Sequence, residues 1–395
     1  MNWGLVISIF VVMSFLVFCF YKKKIFGKKN KEHKSPYIKK MDKQAPKVKS
    51  EEWEEKFGTF VRAYHKHHVN HVFFVHGTFV GEDPLDFFYY LNSTFRKILQ
   101  KYLKQAKKMI VKDNGMFSIE YVDLFQKMMG DEIKAHYFQW SSGNHHFARL
   151  SGALNLLFEL AALCVDRKSK RFLLIGHSHA GQIFAILSQM ICDEEKGRVL
   201  IQKACLAGYP KSFYEICETL HSIQGMRFDL VTLGTPVRYD FFLSKKISLL
   251  HIINHRKFKQ PVNPYRSILN TEFGDYIQHW GSSGTDIKSP IPQVENVNKD
   301  LDHLFDIGRD LKLWRSRLKK ERQIPKQGVT LLVDYQDQSS SINCVTTLFG
   351  HGIYTRMNTM LFHAEQIALF LDGNLVSDAL NQGEYASMLG SELSG

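Results

Sequence analysis

Six short runs of almost unbroken apolar character constrain the fold of this chain most. They are HVFFVHG (71–77), AHYFQW (135–140), RFLLIGHS (171–178), FDLVTLGTP (228–236), SLLHIINH (248–255) and GVTLLVDY (328–335). Each is rich in β-branched or aromatic residues and continuous rather than alternating. Strands buried on both faces have this signature, because neither face meets water. Helical patterns lie between the runs, over Pro84–Val111, His146–Val165, Gly181–Ile191 and Leu361–Leu371. Alternation of strand and helix predicts an α/β architecture, a mostly parallel sheet with helices on both faces.

Two stretches break this rhythm. Residues 256–327 form a long insertion with a helical pattern over Lys299–Arg322, suited to a lid, a membrane-facing helix or a solvated helix packed on the domain. The tail after Asp372 is small and polar, as loosely held termini are.

Charge separates the function classes. Of 395 residues, 44% are apolar and 23% charged, which excludes general disorder. The net charge is +13, yet Lys22–Ser50 alone holds twelve lysines against two acids, ten of those thirteen charges. The rest of the chain has an ordinary surface charge and no recognition motif, which argues against nucleic acid as a partner. The basic stretch comes directly after Trp3–Tyr21, nineteen residues without an acid or a base. Nineteen helical residues cover about 28 Å, close to the hydrocarbon core of a bilayer. Nothing basic precedes the run and lysines succeed it, so residues 1–21 are expected to be an uncleaved single-pass anchor. The positive-inside rule places the chain from Lys22 onward on the cytoplasmic side. Residues 22–50 then read as a polybasic linker that attracts anionic headgroups, and 51–395 as the globular domain. The six cysteines are scattered without metal spacing and are expected to be core thiols in a reduced compartment.

The chemistry is carried by RFLLIGHSHAGQIFAIL, an apolar strand, then Gly176-His177-Ser178-His179-Ala180-Gly181, then an apolar helix. A sharp strand-to-helix turn exposes its middle side chain, and needs small residues two before and two after so that strand and helix can approach. A serine hydroxyl held there stands clear of the sheet at the positive end of a helix.

On these residues the chain resembles the α/β-hydrolase superfamily, in its lipase and serine-esterase branch. The family's G-x-S-x-G has Ala180 at its last position here. The resemblance implies an α/β-hydrolase fold with Ser178 as nucleophile. It also implies an oxyanion hole built from the backbone N–H groups of Thr78, in the upstream Val75-His76-Gly77-Thr78 turn, and His179. Leu233-Gly234-Thr235-Pro236 is similar to a turn that many lipases carry after the next strand.

In this family the chain order is nucleophile, acid, histidine. The first histidine after the last strand is His351, between Gly350 and Gly352; His363 competes from inside an amphipathic helix. The acid is expected after the strand SLLHIINH, where Asp275 in Phe273-Gly274-Asp275-Tyr276 is the first choice. Asp286 and Asp337 remain alternatives.

His65, His67, His68 and His71 match no metal signature, and no metal or organic cofactor is expected. His177 and His179 are expected to shape the pocket mouth. His145 and His146 are expected to be solvated loop residues or a helix start, and the 138–149 segment receives no chemistry. The resulting expectation is a membrane-anchored serine hydrolase of carboxylic esters, with an acyl lipid or other hydrophobic ester as substrate. An acyltransferase or thioesterase on the same triad, or a non-catalytic hydrolase-fold scaffold that binds a lipid or a protein, are the alternatives.

Overall fold

A computed structural model describes residues 38–42, 45–77, 116–164, 170–256, 271–281, 286–305, 324–336, 347 and 349–375. The expected anchor over residues 1–21, the helix over 84–111, Thr78 and Asp337 lie outside the described residues, as does most of the tail. Among the described residues no helix is long and apolar enough to cross a membrane.

Seven parallel strands form one sheet: β1 Lys39–Lys40, β2 Val69–Val75, β3 Lys134–Phe138, β4 Arg171–His177, β5 Arg227–Leu233, β6 Ile247–Asn254 and β7 Val329–Asp334. Their spatial order is β1-β7-β6-β5-β4-β2-β3. The six apolar runs are thus β2 to β7. The helices are α1 Glu51–Lys66, α2 Ile119–Met129, α3 His146–Ala162, α4 Ala180–Cys192, α5 Glu194–Leu206, α6 Phe213–Ser222, α7 Tyr276–Gly281, α8 Pro292–Leu304 and α9 Met360–Leu371.

Successive residues of the central strands face opposite sides, so each run supplies two cores. Phe172 and Leu174 of β4 and Phe228 and Leu230 of β5 join the cluster under α3, α4, α5, α6 and α8. Leu173 and Ile175, with Val231 and Leu233, join the cluster under α1, α2 and α9. Full burial of each such side chain contributes about 1.5–3 kcal/mol before the entropy of ordering it is set against that. This is the reason the runs are continuous rather than alternating.

The structure corrects three expectations. Residues 38–42 and 45–50 are docked on the domain rather than part of a free linker. Lys39 and Lys40 pair with Val333 and Asp334, Met41 N–H donates to Asp334 O at 3.0 Å, and Ser50 caps α1 by accepting from Trp53 N–H. Without β1, β7 would present an open edge; a two-residue, lysine-bearing strand covers it. The helix expected over Lys299–Arg322 starts earlier, at Pro292, where proline suits the first helical position, and ends at Leu304 with Phe305 as its C-cap; residues 306–323 lie outside the described residues. Of the cysteines, Cys164 is buried as a core thiol, whereas Cys192 is exposed and Cys205 and Cys217 are half-buried.

Candidate active site

Strand order reverses between β2 and β4. From β2 the chain steps outward to β3, then returns to β4 on the other side of β2 and continues through β5, β6 and β7. A crevice opens beyond the carboxyl ends of strands at such a switch point, and ligands of open α/β sheets bind there. Ser178 directly succeeds β4 at this position, and Gly77 lies just past β2 beside it.

The turn between β4 and α4 is strained. Ser178 has φ of 57°, in the left-handed region that side chains other than Gly seldom occupy. Two hydrogen bonds secure its peptide units: Ser178 N–H donates to Leu233 O at 2.9 Å, and Thr235 Oγ1 donates to Ser178 O at 2.7 Å. The turn after β5 therefore braces the turn after β4. A Cβ on Gly77 would lie 2.7 Å from Ser178 Cβ and 3.3 Å from its Oγ, so Gly77 leaves the room in which that hydroxyl sits.

Two more loops converge on the same edge. Asp275, fully buried after β6, accepts from His351 Nδ1 at 2.8 Å through Oδ2. Its Oδ1 accepts from the Gln278 backbone N–H at 2.8 Å. Both loops are pressed together: Tyr276 N–H donates to Phe349 O at 3.0 Å, and a Cβ on Gly350 would lie 2.1 Å from Gly274 O. Gly350, with φ of 81°, is therefore required to present His351. The His351 ring packs on His177 with centroids 4.5 Å apart, and His177 Nε2 donates to His351 O at 2.9 Å. His351 Nε2 is buried and, like Ser178 Oγ, makes no hydrogen bond among the described residues.

His179 opens α4, and its backbone N–H makes no hydrogen bond among the described residues. Burial, with the Arg149 charge adding to it, holds its imidazole well below the ordinary histidine range, so the ring is neutral. His363 lies elsewhere, inside α9, bonded to Tyr335 at 2.7 Å.

Asp286 does not reach His351. It pairs with Arg149 Nη2 at 2.7 Å, with Arg238 Nη2, and with His146 Nε2 at 3.2 Å. Burial works against its ionised form, yet the Arg149 and Arg238 charges outweigh that and hold the carboxyl below its usual range. Arg149 is fully buried, and its Nη1 donates to Tyr239 at 2.8 Å. Tyr239 meets His146 Nδ1 at 2.6 Å, and His146 Nε2 meets Asp302 at 2.8 Å. Burial lowers the His146 pKa, leaving it neutral; Tyr239 then donates to Nδ1 and Nε2–H donates to Asp302.

Of the two readings of His145 and His146, the solvated loop is overturned and the helix start holds: both are buried, His145 caps α3 through its Nδ1 and His146 is the first residue of that helix. The network joins α3, the loop after β5 and the segment bearing α8. The signal available in the sequence was Arg149, a charge set among the apolar residues that open α3.

Comparison of the chain with protein-family models, with curated proteins and with solved structures gave no match.

Proposed function

We propose that this chain is a serine hydrolase of the α/β-hydrolase fold that cleaves carboxylic esters through Ser178, His351 and Asp275. The observation that carries the reading is the buried 2.8 Å Asp275–His351 hydrogen bond at the sheet edge where Ser178 occupies a strained strand-to-helix turn. The order Ser178, Asp275, His351 along the chain is the order such folds use.

Asp275 holds Nδ1–H and so leaves Nε2 of His351 free to accept a proton. Nε2 takes the proton of Ser178 Oγ as that oxygen bonds to the ester carbonyl carbon. The carbonyl oxygen becomes an oxyanion, and the His179 N–H, with that of Thr78 directly after Gly77, stabilises it. Collapse breaks the bond to the alkoxy group, which leaves as the alcohol with the proton from His351. Water then attacks the acyl-enzyme with the same base and frees the acid and Ser178.

The proposed setting is the cytoplasmic face of a membrane, supported by the apolar run 3–21 and the lysines directly after it. That setting favours an acyl lipid or another hydrophobic ester as substrate. The test is fluorophosphonate labelling of the full chain in detergent, with the adduct mapped by peptide mass, and then hydrolysis of an ester panel of rising acyl length. Labelling at Ser178, lost in Ser178→Ala, is expected. A chain that neither labels at Ser178 nor hydrolyses any ester of the panel would overturn the proposal.

A further inference from the structure

Asp275 has a second side-chain partner that the triad does not require. Tyr354 lies three residues after His351, in the 3-10 turn Gly352–Thr355 that His351 caps. Residues i and i+3 of such a turn lie nearly one above the other, so one short element aims both side chains at the same carboxylate. Tyr354 Oη lies 2.8 Å from Asp275 Oδ2, the oxygen that also accepts from His351.

The direction of this bond is fixed. Tyr354 Oη accepts from the Asn254 backbone N–H at 2.7 Å. An amide N–H can only donate, so the phenolic proton is left for Asp275. Tyr354 is fully buried, and burial, with the Asp275 charge adding to it, pushes its pKa well above the ordinary tyrosine value; it stays a neutral donor. Asn254 closes the arrangement. Its O accepts from Asp275 N–H at 2.9 Å, and its Nδ2 donates to Gly350 O at 2.9 Å. The last residue of β6 thus ties the acid loop, the histidine loop and the tyrosine together. Gly234 makes the space, since a Cβ there would lie 2.4 Å from the Tyr354 ring and 2.6 Å from Asp275 Oδ2.

We infer that Tyr354 is a positioning residue of the proposed hydrolase: its hydroxyl holds the Asp275 carboxylate in the one orientation that aligns His351 with Ser178. The inference rests on the hydrolase reading. Asp275 needs a fixed rotamer because the orientation of His351 depends on it, and a buried carboxylate with a hydrogen bond missing turns toward other donors. Tyr354 touches no reacting atom and acts only through Asp275.

The test is a double-mutant cycle on the full chain, with Tyr354→Phe and Asp275→Asn made singly and together. Phenylalanine keeps the ring that fills the space beside Gly234. Tyr354→Phe is expected to lower kcat about tenfold with KM within twofold, the pattern of a lost transition-state interaction. In the Asp275→Asn background the same substitution is expected to change kcat less than twofold, because the two residues act as one unit. Equal losses in both backgrounds, or a change in KM alone, would overturn the inference. Tyr335→Phe is the control: it removes a neighbouring buried hydroxyl that bonds His363, and is expected to leave kcat within twofold. A tenfold loss there would also overturn it, by showing that any buried hydroxyl of this cluster suffices. A readout independent of turnover is the low-field proton NMR signal of the His351 Nδ1–H bonded to Asp275. It is expected to be lost in Asp275→Asn and shifted or lost in Tyr354→Phe. A signal untouched by Tyr354→Phe sinks the tyrosine's role. Absence of any ester hydrolysis sinks the hydrolase reading instead.

Discussion

Asp275 Oδ2 and His351 Nδ1 lie 2.8 Å apart, although 76 positions of chain separate them, and Asp286, eleven positions further along, is committed to two arginines instead. The two acids should therefore fail differently. Asp275→Asn keeps the shape but offers His351 a group that no longer fixes its tautomer. We expect kcat to fall by about 10³–10⁴ with little change in melting temperature. Asp286→Asn leaves Arg149 and Arg238 without their shared counter-charge in a buried place, which typically costs about 3–5 kcal/mol. We expect a clear drop in thermal midpoint, with kcat per folded molecule retained at low temperature. Steady-state kinetics paired with thermal melts check both; an Asp286→Asn protein that is stable but inactive would exchange the roles.

The two candidate histidines separate in the same way. His351→Ala should abolish fluorophosphonate labelling of Ser178, since it removes the base that takes the serine proton. His363→Gln should retain labelling at near wild-type rate while lowering stability, because His363 packs within α9 and bonds Tyr335, away from Ser178. The rate of labelling, measured by gel fluorescence, decides between them.

The strands were legible because burial on both faces writes itself into consecutive residues, as LLIG and LLHII show. β1 was not, because Lys39 and Lys40 have no strand character of their own and are strand only by docking on β7. The helices α1, α2, α5 and α6 have no comparable run in the sequence, for a related reason. They are largely polar outside one stripe, and their clearest local marks are the caps Ser50, Ser118, Asp193 and Ser212. At the site, Ser178, Asp275 and His351 each come after a strand, and the resemblance to the hydrolase chain order is what singles them out, with Asp286 and Asp337 left as alternatives to Asp275. Tyr354 leaves no such trace, and the Arg149–Asp286–Arg238 network leaves only the charge of Arg149 among the apolar residues that open α3. Their significance is pairing across distant segments, which periodicity and spacing do not record.

Stability should depend on pH through two buried histidines. Burial pushes both His251 and His363 from an ordinary 6.5 down to about 3. Between those values the unfolded chain binds a proton that the fold refuses, so stability falls as pH drops from about 6.5 toward about 3. Each contributes up to about 1.4 kcal/mol per pH unit inside that window. His136, His146 and His179 shift in the same direction and add to the effect. Carboxylates held below their usual range, such as Asp286, lose their contribution only at more acid pH. Denaturant midpoints should therefore be lower at about pH 5 than at about pH 7, with a smaller difference in His363→Gln. Equal midpoints at the two pH values would show that these rings are protonated within the fold.

The departure from the esterase motif at Ala180 should be harmless for a reason visible in the turn. A Cβ placed on Gly176 would lie 3.1 Å from Ala180 Cβ and 2.6 Å from the Phe184 ring. Ala180 is thus accommodated because Gly176 has no side chain, and only one of the two positions needs to be glycine to let β4 and α4 meet. Ala180→Gly should keep kcat within about twofold and cost at most about 1 kcal/mol through the lower helix propensity of glycine. Gly176→Ala, the same one-methyl exchange in the opposite direction, should be the damaging one. It forces two methyl groups and an aromatic ring into one space directly behind Ser178, and both stability and labelling of Ser178 should fall. The pair is read by thermal melts and labelling rates on the same preparations. A tolerated Gly176→Ala beside an inactive Ala180→Gly would refute this account of the turn.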